Sequence, residues 1–220
     1  MSPRAVSRAL PATLLILATG TGAQAGPLSP VRAVQLFLAS FQPPATEGSL
    51  LATARRERLD WTATQNLFHL QVTDESNHFL DWRGSQEDGG RVFTTLRAAT
   101  YVQGKRALLV LNREWCRAGA CQQRSTFGWT DGQVLRAVPE AEVIQLIRDA
   151  DFLVGPPPAC LRGVTLGVQY VPSRQGTSLT VLPVVPDAAR RACESTGVHL
   201  TSALRALRLN WVAAAGKFRW

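Results

Sequence analysis

The sequence is poor in the residues and motifs that most often reveal an enzyme. It has three histidines among 220 residues. It lacks the patterns that mark a zinc protease, a phosphate-binding loop, a dinucleotide-binding fold or the serine nucleophile of an α/β-hydrolase. These absences exclude the enzyme classes that a short motif identifies. They leave open a site whose acidic residues meet only in the folded chain.

Long apolar runs are absent after residue 25, where no stretch approaches the ~20 residues that a membrane-spanning helix needs. The first 25 residues follow another pattern. Arg4 and Arg8 precede an apolar segment at 9–18, and small residues end the run at Ala23-Gln24-Ala25. This order is typical of a secretory signal peptide, and the apolar segment is too short for a membrane anchor. The sequence therefore predicts cleavage after Ala25 and export to the periplasm or the extracellular space.

Lysine is scarce, since 22 of the 24 basic residues are arginine. This skew is typical of codon usage in a GC-rich genome and does not by itself indicate phosphate recognition. Without Arg4 and Arg8, 22 basic residues remain against 16 acidic ones, which gives a net charge of +6. A basic surface attracts polyanions, but export argues against nucleic acid. The expected partner is an anionic component of the cell envelope or a small ligand, and no transmembrane anchor is expected.

The four cysteines all follow the predicted cleavage site. An even number in an exported chain predicts two disulfides, and the spacing lacks the paired C-x-x-C units of a four-cysteine zinc site. Residues 117–120 are predicted to form a hairpin loop that places Cys116 opposite Cys121, within bonding range. That pairing leaves Cys160 to bond with Cys193.

Hydrophobic spacing predicts an α+β fold, predominantly antiparallel β, with hairpins and a meander and two or three peripheral helices. The first helix is predicted to begin at Ser29-Pro30 and to end before Pro43-Pro44. Residues 50–60 fit either a helix or a strand. Alternation begins near Leu67, and it predicts a hairpin of residues 66–72 and 79–83.

The clearest strand pattern runs from Arg91 to Val138 and predicts a four-stranded antiparallel meander. Pairing about the second turn places Leu108 opposite Trp129 and Val110 opposite Phe127. Residues 108–111 are apolar on both faces, so their strand is predicted to be central and covered on both sides. The turns are predicted at 103–104, 117–120 and 130–133, with Asp131-Gly132 favouring a tight two-residue turn with positive φ at both positions.

Pro139 is predicted to begin a second helix that extends to Arg148 and buries Val143, Ile144 and Ile147. Residues 155–158, Gly-Pro-Pro-Pro, are the strongest break and form either a linker or a stiff loop. The predicted division is a signal peptide at 1–25, an N-terminal helix, meander and helix at 26–154, and β-hairpins with a short helix at 155–220. The short helix is predicted at 187–196, with Asp187 as its cap. The C-terminal part is expected to pack on the first part as one domain.

The candidate ligand contacts are His69, Trp115 and Arg117. A strand tryptophan can form a stacking platform for a sugar or another ligand, although core packing is the commoner role. Arg117 lies in the loop that the predicted Cys116–Cys121 disulfide closes. His69 lies on the first predicted hairpin without an identifiable partner. We predict no catalytic residue, metal ligand or cofactor.

These features favour a non-enzymatic exported protein that binds a ligand or an envelope component. One alternative is an exported hydrolase whose site is assembled only by folding. Another is a protease inhibitor that presents Arg117-Ala118 in the disulfide-closed loop. A deep pocket with converging His, Asp or Glu side chains would favour the hydrolase, whereas an apolar or basic surface would favour binding.

Overall fold

Two antiparallel sheets and seven short α-helices form the part of the chain that the computed structural model describes, residues 29–87 and 90–220. This arrangement confirms the predicted α+β fold with mainly antiparallel strands. The predicted signal peptide at 1–25 lies outside the described residues.

The first sheet is a six-stranded meander in which each strand pairs with the next along the chain. Its registers place Leu108 opposite Trp129 and Val110 opposite Phe127, as predicted. The central strand is buried on both faces over residues 108–111, which was also predicted. The six strands are β1 (Leu70–Asp74), β2 (Phe79–Glu87), β3 (Arg91–Gln103), β4 (Arg106–Arg117), β5 (Ala120–Thr130) and β6 (Leu135–Val138).

The second sheet has the order β10-β9-β8-β7 and packs on one face of the first sheet. Strand β7 is an edge strand of this sheet, and side chains of β5 form hydrogen bonds with its backbone. The Ser125 hydroxyl accepts from the Tyr170 N–H, and the Gln123 amide donates to the Val168 carbonyl. The edge of β7 is therefore partly capped by the first sheet. The four strands are β7 (Gly167–Pro172), β8 (Ser178–Val184), β9 (Leu207–Val212) and β10 (Lys217–Arg219).

Three helices cover the opposite face of the first sheet: α1 (Pro30–Ser40), α2 (Leu50–Arg56) and α3 (Trp61–Asn66). Each begins after a side-chain cap, because Ser29, Ser49 and Asp60 accept from backbone N–H groups three residues on. The region 50–60, which the sequence left open between helix and strand, is thus mostly helical.

The two faces of the first sheet belong to two hydrophobic cores. Leu109 and Leu111 on β4 join the core beneath α1 and α2, whereas Leu108 and Val110 join the core between the sheets. Successive side chains of a strand point to opposite faces of the sheet, so β4 contributes residues to both cores. The inter-sheet core also takes residues from both parts of the predicted division, including Phe79, Tyr101, Phe127, Tyr170, Leu179, Leu209 and Phe218.

The predicted helix from Pro139 to Arg148 is wrong. The chain forms two single-turn helices instead, α4 (Glu140–Val143) and α5 (Asp149–Phe152). Between them Ile144 forms a parallel bridge with Phe218, and the Gln145 N–H donates to the Phe218 carbonyl. Pairing with β10 replaces helical hydrogen bonds there, so a tertiary contact overrides the helical pattern.

The predicted start and register of the first hairpin are also wrong. Helix α3 extends to Asn66, and β1 begins only at Leu70. Asp74 pairs with Phe79, because a 3-10 helix at Glu75–Asn77 makes the turn and His78 has a φ of +54°. The strand pairing is therefore offset by two residues: a four-residue turn predicts the pairing of residue 73 with residue 78, but Thr73 pairs with Leu80.

Three smaller features differ from the prediction. Gly132 has a positive φ but Asp131 does not, and the Asp131 carboxylate instead accepts from the N–H groups of residues 133 and 134. Pro186 rather than Asp187 is the N-cap of α6 (Asp187–Ser195), which is followed by α7 (Leu200–Ala203). The loop at 117–120 is a two-residue turn, because Arg117 pairs with Ala120.

Two disulfides join the cysteines in the predicted pairing, Cys116 with Cys121 and Cys160 with Cys193. The first closes a separation of 5 residues across the turn between β4 and β5. The second closes a separation of 33 residues and ties α6 to a 3-10 helix at Ala159–Leu161. Loop-closure entropy gives about 2 kcal/mol for the short loop and about 4 kcal/mol for the long one, so the second restrains the unfolded chain more.

A buried ion pair joins the loop before α2 to the central strand. The Glu47 carboxylate accepts from Arg113 Nε at 2.7 Å and from the Ser49 hydroxyl at 2.7 Å. Both charged side chains are 1% exposed. The Arg113 guanidinium also lies over the rings of Phe37 and Phe41 and donates to a threonine hydroxyl on β5. The pair is therefore enclosed by α1, α2 and the sheet.

We predict that Glu47→Gln lowers the free energy of unfolding by about 3–5 kcal/mol, because it leaves the Arg113 charge buried without its counterion. Chemical denaturation with both disulfides intact measures this. The double variant Glu47→Leu with Arg113→Met is expected to be more stable than the single variant. Asp187→Ala, which breaks an exposed pair with Arg190, is the control and is expected to cost much less, because water screens exposed ion pairs. Equal losses in Glu47→Gln and Asp187→Ala would contradict the prediction.

Candidate functional site

The structure brings together two of the three predicted ligand contacts. Trp115 and Arg117 line a cavity of about 450 Å³ on the helix-covered face of the first sheet, named the Trp115 cavity here. Its other lining residues come from the loop before α2, from α2 itself and from neighbouring strands. They are Ala45, Thr46, Glu47, Gly48, Arg56, Val92, Ala120 and Gln122.

Trp115 is buried by its neighbours and does not offer an open ring face for stacking. It is 8% exposed, and a Cβ added at Gly48 would lie 2.9 Å from its Cδ1. His69, the third predicted contact, is exposed in the segment before β1 and does not line this cavity. The structure therefore groups Trp115 with Arg117 and separates His69 from both.

A second cavity, of about 420 Å³, lies on the other face, between the β1–β2 edge of the first sheet and the end of β7. We name it the arginine groove, because three arginines line it. Apolar side chains from both sheets form the rest of its wall. The lining residues are Leu70, Val72, Phe79, Asp81, Arg83, Arg97, Pro172 and Arg174.

Strand register explains why these residues share one surface. Val72 pairs with Asp81 across β1 and β2, and Asp81 pairs with Arg97 across β2 and β3. Cross-strand partners project to the same side of a sheet, and so do residues two apart on one strand. Phe79, Asp81 and Arg83 therefore lie along one face of β2, while Leu80 and Trp82 enter the core under the helices.

Asp81 is the centre of the polar side of the groove. Its carboxylate accepts from Nε and Nη2 of Arg97, at 3.2 and 2.8 Å, and from the same two nitrogens of Arg83, both at 3.2 Å. Partial burial acts to raise the pKa of Asp81, but the hydrogen bonds from Arg83 and Arg97 outweigh it, so the pKa lies below the usual aspartate value. Asp81 is therefore an anion at neutral pH.

The third arginine reaches the groove from the second sheet. Arg174, in the turn after β7, donates through Nε to Asp74 at 3.0 Å and links the two sheets. Hydrogen bonds from Asn77, Ser76 and Arg174 lower the pKa of Asp74 far below its usual range. Three guanidinium groups thus meet two carboxylates at the groove, which leaves one positive charge in excess.

The arginines retain unused hydrogen-bond donors. Arg83 and Arg97 each donate through Nε and Nη2, and Nη1 of each makes no hydrogen bond with a described residue. Neither Nη nitrogen of Arg174 makes one within residues 29–87 and 90–220. Guanidinium groups bind carboxylate and phosphate oxygens strongly, often through two parallel hydrogen bonds. The groove therefore has the donors to hold an oxyanion.

The sequence analysis did not single out Asp81, Arg83, Arg97 or Arg174 as site residues. A usable signal existed in β2, where Asp81 and Arg83 alternate with Leu80 and Trp82. Alternating charged and apolar residues indicate a polar surface opposite a core. Arg97 and Arg174 carry no such local signal, since strand pairing and sheet packing bring them to Asp81 and Asp74.

None of the described residues that line the groove is a serine, cysteine, histidine or lysine. Among the described residues, Glu114, Cys116 and Cys121 form a close group of metal-ligand residue types. The two sulfurs are bonded to each other, so neither is the thiolate that a metal would need. The turn between them is tight, with φ values of +48° at Ala118 and +81° at Gly119.

Comparisons with protein-family models, with curated proteins and with solved structures found no match for this chain. Across residues 29–87 and 90–220, no helix has the length and apolar character needed to cross a membrane. The assignment of a function therefore depends on the geometry described above.

We predict that Asp81→Asn lowers the free energy of unfolding at neutral pH by about 1–2 kcal/mol, because it removes the negative charge that forms ion pairs with both Arg83 and Arg97. The folded-state pKa of Asp81 is lowered, so its stabilising effect is present above the unfolded value of about 4 and is lost as the pH falls through the folded value. The difference between wild type and variant should therefore shrink below about pH 4.

Urea titrations at a series of pH values measure this difference. Asp187→Asn is the matched control, because Asp187 pairs with Arg190 but is exposed, and it should show a smaller effect. A difference for Asp81→Asn that stays constant from neutral to strongly acidic pH would contradict the assignment.

Proposed function

We propose that the protein is an exported binding protein and that the arginine groove holds an anionic ligand. The supporting observation is the unequal count of charges at the groove, where Arg83, Arg97 and Arg174 meet the carboxylates of Asp81 and Asp74. The excess charge and the unused guanidinium donors favour an oxyanion over a neutral or cationic ligand. A volume of about 420 Å³ lies within the range of small-molecule sites.

The two carboxylates also hold the arginines in place before a ligand arrives. Asp81 binds Arg83 and Arg97 together, and Asp74 anchors Arg174, so a ligand would not have to order three long side chains by itself. Ordering such side chains costs binding free energy, and an arrangement formed in advance avoids part of that cost. This preorganisation supports binding as the role of the cluster.

Among the described residues that line the groove, no hydroxyl, thiol or amine nucleophile lies beside a base, so this lining gives no support to a hydrolase. The hydrolase alternative has no specific contact in its favour among the described residues. The protease-inhibitor alternative needs an extended loop around Arg117-Ala118 that can enter a protease active site. Residues 117–120 are exposed, but they form a two-residue turn held by Cys116 and Cys121. We therefore favour binding over both alternatives.

Octanoate is the probe for the groove, and octanamide is its uncharged match. We predict that the mature protein binds octanoate and that Arg97→Gln and Arg174→Gln each weaken binding about tenfold, since each removes a charge-assisted hydrogen bond. Isothermal titration calorimetry at low salt measures the affinities, with circular dichroism to verify folding.

Arg136→Gln is the control, because Arg136 lines a different cavity beside Trp129. Arg56→Gln tests the Trp115 cavity in the same way. Unchanged octanoate binding in the two groove variants would overturn the proposal. A loss confined to Arg56→Gln would do so as well, by moving the anion to the Trp115 cavity.

Export is the second part of the proposal. The N-terminal pattern ending at Ala25 supports it, and so do two disulfides, which persist in oxidising compartments outside the cytosol. Mass spectrometry of protein from the native host should find a chain that begins at Gly26 and contains no free thiol. Cytosolic protein with Met1 in place and four reduced cysteines would contradict export.

A further inference from the structure

We propose that the ligand of the arginine groove is an anionic amphiphile, an alkyl chain with one oxyanion at its end. The inference rests on the proposed function and adds the chemical class of the ligand. It starts from Leu70, which is 49% exposed although it is a large apolar side chain. It lies in the groove next to the arginines, on the edge strand of the first sheet.

The groove has a polar end and an apolar wall. The polar end consists of the unused nitrogens of Arg83, Arg97 and Arg174 around the two carboxylates. The apolar wall is formed by Leu70, Val72, Phe79 and Pro172, and Phe79 continues into the inter-sheet core. A ligand with one charged end and one apolar end would contact both at once.

A purely polar anion would leave the apolar wall in water and would gain nothing from Leu70. An uncharged hydrocarbon would cover the wall but would leave the excess positive charge without a partner. An amphiphile satisfies both, because burial of its chain adds the hydrophobic contribution to the charge-assisted hydrogen bonds. The two kinds of surface in one cavity therefore point to a single, two-part ligand.

The carboxylate of Asp81 does not prevent an anionic ligand from binding in the groove. Its carboxylate already accepts four hydrogen bonds from two guanidinium groups, so it repels an incoming anion less than an unpaired carboxylate would. The nitrogens that remain project hydrogens without an acceptor among the described residues. An oxyanion near them would become a third anionic partner of the three arginines.

The test measures binding of acetate, butanoate, hexanoate, octanoate and decanoate to the mature protein. Each methylene that contacts the wall should tighten binding about twofold to fourfold, the range between half and full burial of a methylene group. The gain should end once the chain outgrows the groove. Octyl phosphate in place of octanoate tests whether the two oxyanions serve equally as the charged end.

Leu70→Ser is the decisive variant, because it removes apolar wall while leaving every arginine in place. We expect it to flatten the dependence of affinity on chain length, with acetate binding unchanged. Its exposure means that folding should tolerate it. Val134→Ser is the matched control, since Val134 is 50% exposed but lines another cavity, and it should preserve the dependence on chain length.

The outcomes separate this inference from the proposed function. Equal affinity for all chain lengths, with loss of binding in Arg97→Gln, would overturn the amphiphile and leave the anion site standing. No binding of any carboxylate would overturn both. Sedimentation with phosphatidylglycerol vesicles tests a membrane surface instead, and vesicle binding without octanoate binding would overturn the proposal of a single bound amphiphile.

Discussion

The buried ion pair of Glu47 and Arg113 is the contact on which the arrangement around the first sheet depends. Both side chains are almost fully buried, and each charge is compensated only while the loop before α2 stays on the central strand. A buried charge without its partner is costly, so the helices cannot shift along the sheet without a large loss of stability. The rings of Phe37 and Phe41 around the guanidinium extend this constraint to α1.

With the helices held on one face, the other face is left for the second sheet. Strand β7 packs there, and Gln169 joins Asn112, Ser125 and Gln123 in a row of polar contacts across the interface. The row satisfies polar groups that would otherwise be buried without partners. The arginine groove lies where the end of β7 and the turn after it face β1 and β2. The groove is therefore formed by residues of both sheets at the edge of their interface.

Much of the fold was predictable because it depends on local patterns. The continuous apolar run at residues 108–111 predicted a central strand. Cys116 and Cys121 predicted a hairpin, and the register around Leu108 followed from that turn. The failures have a different cause. Val143 and Ile144 have helical spacing, yet Ile144 bridges Phe218 from the far end of the chain. No local signal reports a partner 74 residues away, and the bridge decides the backbone conformation there.

The candidate site shows the same division. Sequence alone determined the composition of the chain, the alternation that builds its strands and the pairing of its cysteines, because these depend on residue order within short segments. Only the tertiary structure decided that Arg97 and Arg83 share Asp81, and that Arg174 reaches across from the second sheet to Asp74. The physical reason is distance along the chain: residues 81 and 97 meet through strand register, and residues 74 and 174 meet only when the two sheets pack.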